Sequence, residues 1–193
     1  MEEYYTIQGE GFNTGTAAYF IRLGGCDVGC HWCDVKDSWD AEKHPVKTVQ
    51  EIADNVVHAS ANVAVVTGGE PLMYDLDLLC QALREKQCKT FLETSGAYPL
   101  TGKWDWICVS PKKFKAPLKE NLALAQELKV VIYHTSDLAW AEQHAGFVSK
   151  ECKLFLQPEW SRSAEVLPLI VEYVKHNPQW KISLQTHKFM NIP

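Results

Sequence analysis

The sequence lacks any apolar stretch that approaches the roughly 20 residues of a membrane-spanning helix. It also lacks an excess of positive charge, since 19 Lys and Arg stand against 24 Asp and Glu and give a net charge of −5. The first absence argues against a membrane partner, and the second argues against binding of nucleic acid through its phosphates. Residues 1–5 contain neither the basic start nor the apolar core of a signal peptide, which predicts a cytoplasmic protein.

Low-complexity segments and internal repeats are also missing. The composition is that of a globular protein, with 46% hydrophobic and 22% charged residues. At 193 residues the chain is too short for a full eight-stranded α/β barrel, which needs about 250. We therefore predict a single domain over residues 1–193.

Short apolar runs alternate with amphipathic stretches of helical period. The runs lack clean period-two alternation, which is typical of parallel strands covered on both faces. Predicted strands are residues 18–23, 63–67, 90–93, 106–110, 128–133, 152–157 and 181–185, and predicted helices are residues 49–57, 76–85 and 166–176. The connection from 94 to 105 carries Gly96, Pro99 and Gly102, so no full helix is expected there. This order predicts an α/β fold, layered or barrel-shaped, with right-handed crossovers.

Polar residues cluster where the predicted strands end. Residues 67–71, 93–96, 110–112, 157–160 and 185–188 each follow an apolar strand. Because the carboxyl ends of parallel strands carry the active site in α/β folds, five such ends predict one large pocket. For any one of them, the alternative is that a strand simply ends in turn residues.

Seven cysteines are the unusual part of the composition, and an odd number cannot all pair within the chain. Cys26, Cys30 and Cys33 are spaced C-x3-C-x2-C on a glycine-bearing loop, which in a reducing compartment suits a metal centre. A structural zinc site or a simple electron-transfer cubane takes four ligands, so three thiols leave one metal position open. The alternatives are a zinc loop closed by His31 and buried thiols. The other cysteines, interpreted as small apolar side chains, are Cys80, Cys88, Cys108 and Cys152.

This cysteine loop resembles that of the radical S-adenosylmethionine (SAM) superfamily, in which an aromatic residue, here Trp32, precedes the last cysteine. Three thiolates in that superfamily hold a [4Fe-4S] cluster, whose fourth iron binds the amino and carboxylate groups of SAM. Residues 68–71, Gly-Gly-Glu-Pro, are similar to the superfamily's glycine-rich SAM-binding strand end. Diglycine would let the backbone approach the ammonium group of the methionine moiety.

Further segments resemble the 7-carboxy-7-deazaguanine synthase family within that superfamily. They are residues 5–11, Tyr-Thr-Ile-Gln-Gly-Glu-Gly, together with residues 93–96, 110–112 and 184–193. The likeness covers residues 6–193 and implies a shortened, incomplete (β/α)6 radical SAM barrel with a mostly parallel sheet. It also implies a lyase of queuosine (7-deazapurine) biosynthesis, a tRNA modification pathway. In that reaction a 5′-deoxyadenosyl radical removes hydrogen from C6 of 6-carboxy-5,6,7,8-tetrahydropterin, the ring contracts to 7-carboxy-7-deazaguanine, ammonia is lost and SAM is regenerated.

The resemblance assigns roles residue by residue. Cys26, Cys30 and Cys33 would ligate the cluster. SAM would be bound by Trp32, Cys33, Asp34, Gly69, Ser110, Pro111, Lys112, Gln157, Pro158, Glu159 and Trp160. The pterin would be held by Ile7, Gln8, Gly9, Glu10, Arg22, Thr67, Glu93, His187 and Pro193.

Local chemistry supports part of the pterin set. Arg22 interrupts an apolar strand, and a buried guanidinium needs an anion, either the substrate carboxylate or an acidic residue such as Glu10. Glu10 and Glu93 suit the donor-rich edge of a pterin, and a solvated loop carboxylate is the alternative for each. A donor role for His187 and an acceptor role for the α-carboxylate of Pro193 depend on the resemblance.

One position departs from the family, in which Ser or Thr follows the Cys-Asp pair and ligates Mg²⁺. Here Val35, without a side-chain oxygen, follows Cys33 and Asp34. Mg²⁺ is still expected, but no protein ligand is assigned to it; substrate oxygens and water, with or without Asp34, suit its octahedral preference, and the alternative is a metal-independent variant. The resemblance also implies a flavodoxin- or ferredoxin-type reductant and a homodimer. Competing functions are a radical SAM activase of a partner protein and a non-enzymatic zinc or electron-transfer module.

Overall fold

A computed structural model describes residues 2–193, which form eight strands and six α-helices. The strands are β1 (Glu2–Ile7), β2 (Ala17–Leu23), β3 (Val63–Gly68), β4 (Lys89–Thr94), β5 (Trp106–Val109), β6 (Glu127–Ile132), β7 (Lys153–Pro158) and β8 (Trp180–Ile182). The helices are α1 (Val49–His58), α2 (Asp77–Glu85), α3 (Lys119–Leu124), α4 (Asp137–Ala145), α5 (Ser163–His176) and α6 (Thr186–Met190).

All strands belong to one sheet, in the order β1 to β8 along the chain. β1 pairs antiparallel with β2, and each later neighbour pair is parallel. Helices connect the parallel neighbours except for β4 and β5, between which the chain forms no α-helix. The predicted α/β fold with a mostly parallel sheet is confirmed, and so is the helix-free connection.

Adjacent residues of each inner strand point to opposite faces of the sheet. The apolar residue of each pair packs against the helices in the main core, as do Ile21, Val66, Leu92, Leu128 and Leu156. The following polar residue lines a cleft on the other face, as do Arg22, Thr67, Glu93, Lys129 and Gln157. Both faces are covered, which explains why the strand sequences show no clean alternation of apolar and solvent-exposed residues.

The sheet is not closed by strand pairing within residues 2–193, because β8 pairs there with β7 alone. The loop that joins β1 to β2 bridges the gap instead. Thr186 N donates a hydrogen bond to Gly9 O at 2.8 Å, and Gly11 N donates to Ser183 Oγ at 2.9 Å. An open sheet with a loop across its gap agrees with the incomplete barrel that the resemblance implied.

Helix boundaries follow local signals where the sequence provides them. Thr48 and Glu51 form a capping box at the start of α1, with Glu51 N donating to Thr48 Oγ1 at 3.2 Å. Helix α5 ends at His176, shortly before Pro178. It is the longest helix, with 14 residues, and no helix within residues 2–193 has the length and apolar character needed to cross a bilayer.

The sequence patterns missed β1, α3, α4 and α6. No residue of β1 is buried, so it carries no apolar signal. Helices α3 and α6 have six and five residues, which is too short for a helical period to show. The last strand was predicted too long, since β8 ends at Ile182 and the following residues lead into α6.

Candidate active site

The carboxyl ends of the parallel strands open into one cleft with a cavity volume of about 290 Å³, at the lower end of the range for small-molecule sites. All five polar strand ends contribute to its lining, as the sequence predicted. Every residue assigned above to the cluster, SAM or pterin also lines it, except Pro111, which is buried between two lining residues of the chain. The fold therefore brings the whole predicted set to one place.

The cysteine loop forms part of the cleft wall. Cys30 is buried, Cys26 and Cys33 are half-buried, and all three are free thiols. The start of the loop is held by Cys26 N, which donates to Trp39 O at 3.2 Å. Burial raises the pKa of Cys26, and it raises the pKa of Cys30 to about 11. Because thiolates are the ligands, iron must displace the protons of these thiols when it binds.

His31 does not converge with the three thiols on a common metal position. Within residues 2–193, no three His, Cys, Asp or Glu side chains converge closely enough to hold one metal ion. In a [4Fe-4S] cluster each thiolate binds a different iron, so the sulfur atoms stand farther apart than around one tetrahedral zinc. His31 instead packs its ring edge-on against Phe114 and Tyr133, with centroids 5.4 and 5.1 Å away. The geometry does not support the zinc alternative.

The diglycine at the end of β3 lies directly against the cysteine loop. Gly68 has a φ of +142°, and a Cβ there would lie 2.2 Å from Leu23 O. A Cβ on Gly69 would lie 2.2 Å from Gly25 O and 2.8 Å from Cys26 Cβ. Glycine is therefore required for the close packing of the strand end against the loop. This reason is separate from the expected approach to the methionine ammonium.

Glu70 has a positioning role that the sequence did not reveal. Its carboxylate is buried and accepts hydrogen bonds from Thr94 Oγ1 at 2.5 Å, Ser95 N at 2.8 Å and Leu72 N at 3.0 Å. A buried carboxylate is stable only with such partners. Glu70 thus ties the end of β3 to the end of β4, two of the strand ends that line the cleft.

The residues assigned to SAM include two charged groups that are already bound within the protein. Lys112 Nζ donates to Ser110 O at 2.8 Å and lies 5.6 Å from the ring centre of Trp32. Burial lowers the pKa of Lys112. Glu159 accepts from Ser161 N at 3.1 Å and begins a short 3-10 turn. Both side chains therefore fix loop conformation around the cleft.

An ion-pair cluster centred on Lys129 lies on the pterin side. Lys129 Nζ is 2.7 Å from Glu10 Oε2 and 2.9 Å from Glu93 Oε2, and its side chain is 5% exposed. Gln8 Nε2 donates to Glu93 Oε1 at 3.2 Å, and Gln185 Nε2 donates to Glu10 Oε1 at 2.8 Å. Burial raises the pKa of Glu10, but the charge of Lys129 and the hydrogen bonds from Lys129 and Gln185 outweigh it and bring the pKa to about 2. Glu10 is therefore ionised at neutral pH.

Arg22 pairs with Glu2 and not with Glu10. Arg22 Nε is 2.9 Å from Glu2 Oε1, which is an ion-pair contact, but the N–H of Nε does not point at the oxygen and forms no hydrogen bond. Arg22 Nη2 donates to Tyr4 OH at 2.6 Å. Arg22 therefore has an acidic partner within the protein, but this is Glu2 and not Glu10, the example named from the sequence, because Lys129 holds Glu10. Lys129 itself was missed, although it interrupts an apolar strand just as Arg22 does.

The two ends of the chain meet at the cleft. A Cβ on Gly9 would lie 2.3 Å from His187 Nδ1, so only glycine allows the first turn of α6 to pack there. Burial lowers the pKa of His187 and favours its neutral ring. Pro193 lines the cleft but is exposed, and Thr6 Oγ1 donates to its backbone oxygen at 3.3 Å.

The surroundings of Val35 do not fit a Mg²⁺ site built by the protein. Asp34 is the adjacent oxygen donor, and Lys188 Nζ lies 3.2 Å from its Oδ2. The part of the chain that the structure describes offers no convergent set of three acidic, His or Cys side chains here. Mg²⁺ prefers octahedral oxygen coordination and usually keeps several waters.

Glu127 is a further buried carboxylate, on the same face of β6 as Lys129. Its Oε2 accepts from Trp106 Nε1 at 3.0 Å and from Phe12 N at 3.3 Å, whereas Oε1 has no partner among residues 2–193. Burial raises its pKa from 4.5 to about 7, against the opposing charge of Lys129 and with a contribution from Glu93.

Replacing Glu127 with glutamine is expected to remove a pH-dependent loss of stability. The folded protein holds this proton more tightly than the unfolded chain, so Glu127 lowers the free energy of unfolding as pH rises from 4.5 to about 7. Urea unfolding at several pH values should therefore show a flatter slope for Glu127→Gln over this interval. The exposed control, Glu151→Gln, should keep the wild-type slope. A wild-type slope for Glu127→Gln would contradict the expectation.

Comparison with known proteins agrees with the geometry of the cleft. A sequence model of the radical SAM superfamily matches residues 20–135. The chain is 56% identical over 193 residues to 7-carboxy-7-deazaguanine synthase of Flavobacterium psychrophilum, with 100% of this chain and 91% of that protein covered. It is 47% identical over 191 residues to the enzyme of that name from Synechocystis, with 99% and 91% covered.

Structural comparison gives the same result. The crystal structure of QueE from Escherichia coli matches with a TM-score of 0.84 and 28% sequence identity, over 95% of this chain and 91% of that one. None of these relatives supports the activase alternative. The chain belongs to the 7-carboxy-7-deazaguanine synthase family of the radical SAM superfamily.

Proposed function

We propose that this cleft contracts the ring of 6-carboxy-5,6,7,8-tetrahydropterin to form 7-carboxy-7-deazaguanine and ammonia, as a lyase of queuosine biosynthesis. The observation that carries the proposal is that the cysteine loop and the Glu10–Glu93 carboxylates line one cleft. The cysteine loop suits a cluster with one iron open to a further ligand, and the two carboxylates suit the N–H edge of a pterin.

Cys26, Cys30 and Cys33 are proposed to hold the [4Fe-4S] cluster next to bound SAM. When bound, the reduced cluster and SAM supply the carbon radical that removes hydrogen from the substrate. The diglycine and Glu70 fix the wall on which both groups rest, since each ties the end of β3 to a neighbouring segment. The residues proposed to bind SAM lie on the cysteine loop and at the ends of three parallel strands, β3, β5 and β7. They are Trp32, Cys33, Asp34, Gly69, Ser110, Pro111, Lys112, Gln157, Pro158, Glu159 and Trp160.

The pterin is proposed to lie over the Lys129 cluster. Glu10 and Glu93 accept from its ring N–H groups and amine, while Arg22 faces its carboxylate. The remaining contacts are assigned to Ile7, Gln8, Gly9, Thr67, His187 and Pro193, all of which line the cleft. C6 must lie close to the radical because a primary carbon radical is unselective and would otherwise react with other nearby groups.

Three further features complete the proposal. Mg²⁺ is held by substrate oxygens and water, with Asp34 as the available protein oxygen, and no step is assigned to it. A flavodoxin- or ferredoxin-type protein supplies the electron. The enzyme works as a homodimer in the cytoplasm.

An anaerobic assay tests the proposal. Protein reconstituted with iron and sulfide, and then given SAM, dithionite and the carboxytetrahydropterin, should form 7-carboxy-7-deazaguanine and ammonia in equal amounts. Mass spectrometry measures the first product, and an enzymatic assay measures the second. Omission of SAM is the control and should stop both. Cleavage of SAM without the deazaguanine would contradict the proposed substrate.

A further inference from the structure

Lys129 is a charged residue of the cleft to which the family resemblance assigns no role. It lies within β6, where a lysine replaces the apolar residue expected of a buried strand, and its side chain is 5% exposed. A buried ammonium is costly unless it is paired. Its position therefore requires a specific set of partners.

The partners of Lys129 come from two distant parts of the chain. Its Nζ contacts Glu10 in the loop after β1, at 2.7 Å, and Glu93 at the end of β4, at 2.9 Å. Glu127 on its own strand and the buried thiol of Cys108 on β5 also face it. Burial disfavours the ammonium form, but these neighbours raise the pKa of Lys129 well above its usual value. Lys129 therefore stays positively charged at the centre of a group of acidic side chains.

Both carboxylates are oriented from two sides. One oxygen of each accepts from Lys129, and the other accepts from an amide, Gln8 for Glu93 and Gln185 for Glu10. Side chains locked in this way present their remaining lone pairs in fixed directions. Without Lys129, two neighbouring carboxylates would repel, and one would take up a proton. A protonated carboxyl group is a donor, which is mismatched to the N–H donors of a pterin.

We infer that Lys129 is a positioning residue that holds Glu10 and Glu93 as a matched pair of acceptors for the adjacent N–H donors of the substrate heterocycle. This inference rests on the proposed function. In this inference Lys129 does not touch the substrate itself; it raises substrate affinity by holding Glu10 and Glu93, which do.

Lys129→Met is the variant that tests this role. It keeps the length of the side chain and removes the charge. KM for the carboxytetrahydropterin should rise at least about tenfold, which corresponds to 1.4 kcal/mol, with a smaller change in kcat. An anaerobic titration of tryptophan fluorescence with the pterin should show the same loss of affinity. Iron content and the SAM-induced change in the electron paramagnetic resonance spectrum should stay at wild-type values.

Lys181→Met is the matched control, because Lys181 is an exposed lysine on strand β8. It should leave KM and pterin affinity unchanged. An equal KM for Lys129→Met and Lys181→Met would overturn the inference. Wild-type protein that binds the pterin without forming product would instead contradict the proposed function, and the fluorescence titration would still decide the role of Lys129.

A charge-balanced variant covers the case in which Lys129→Met alone does not fold. Glu93→Gln combined with Lys129→Met keeps the net charge of the Lys129–Glu10–Glu93 group at its wild-type value. Compared with Glu93→Gln alone, the double variant should show a further rise in KM because Glu10 has lost its cation. An unchanged KM between these two variants would overturn the inference.

Discussion

Replacing Cys30 with alanine is expected to abolish both the visible absorbance of the cluster and the formation of product. Cys30 is the buried member of the three cysteines on the cleft wall, and a cluster left with two thiolates has two incompletely ligated irons. Among residues 2–193 no other cysteine lines the cleft, so no further thiol is available there to replace Cys30. Product formation should fall to background, measured by mass spectrometry together with iron and sulfide analysis.

Cys80→Ala is the control for this variant. Cys80 is buried in α2, away from the cleft, so its loss should cost stability through a small cavity without affecting iron content. Metal analysis of both proteins after reconstitution with iron and with zinc distinguishes a cluster from a zinc site. Full iron content and activity in Cys30→Ala would refute the assignment of this thiol.

Gly69→Ala is the second change with a large expected effect. The added methyl group would meet Gly25 O at 2.2 Å and Cys26 Cβ at 2.8 Å, and both belong to the loop that carries the cysteines. Overpacking of this kind costs about 1–3 kcal/mol. Relief of this overlap requires a shift between the strand end and the loop that carries the cluster ligands, so we expect poor cluster assembly and a weakened response of the cluster to SAM.

Gly146→Ala is the matched control for Gly69→Ala. The nearest atom to a Cβ at Gly146 is 3.4 Å away, so alanine fits there with little adjustment. Iron content, the SAM-dependent electron paramagnetic resonance signal and urea unfolding should all remain near wild type in Gly146→Ala. A Gly69→Ala protein that matched it in cluster content and SAM response would show that the loop tolerates the extra carbon.

Much of the site was predictable because its signals are local. The spacing of Cys26, Cys30 and Cys33 lies within one loop, and each polar strand end lies beside the apolar strand that positions it. Parallel strands then bring those ends to one edge, which is why all five reached the same cleft. The roles of the individual residues stay predictions, and the assays described here test them.

The ion pairs and hydrogen bonds between residues far apart in the sequence could not be predicted in the same way. Glu10 and Lys129 are 119 positions apart, and nothing near either residue indicates the other. For Arg22 the sequence suggested the substrate carboxylate or an acidic residue such as Glu10, whereas the structure places Glu2 beside it. Glu2 lies opposite Arg22 because β1 pairs with β2, and the sequence of β1 has no apolar pattern from which this pairing could be predicted. Glu70 resembled part of a SAM motif, yet its oxygens bind the end of β4.

The sequence by itself determined the order of strands β2 to β8 and of helices α1, α2 and α5, the three-cysteine loop and the set of strand ends that carry polar chemistry. These depend on hydrophobic period and ligand spacing, which short segments contain. The tertiary structure alone decided which charges meet, how the loop after β1 bridges the open sheet, and why Gly9 and Gly69 must be glycine. Ion pairing and steric fit depend on distances between segments far apart in the chain, and those distances exist only once the sheet has formed.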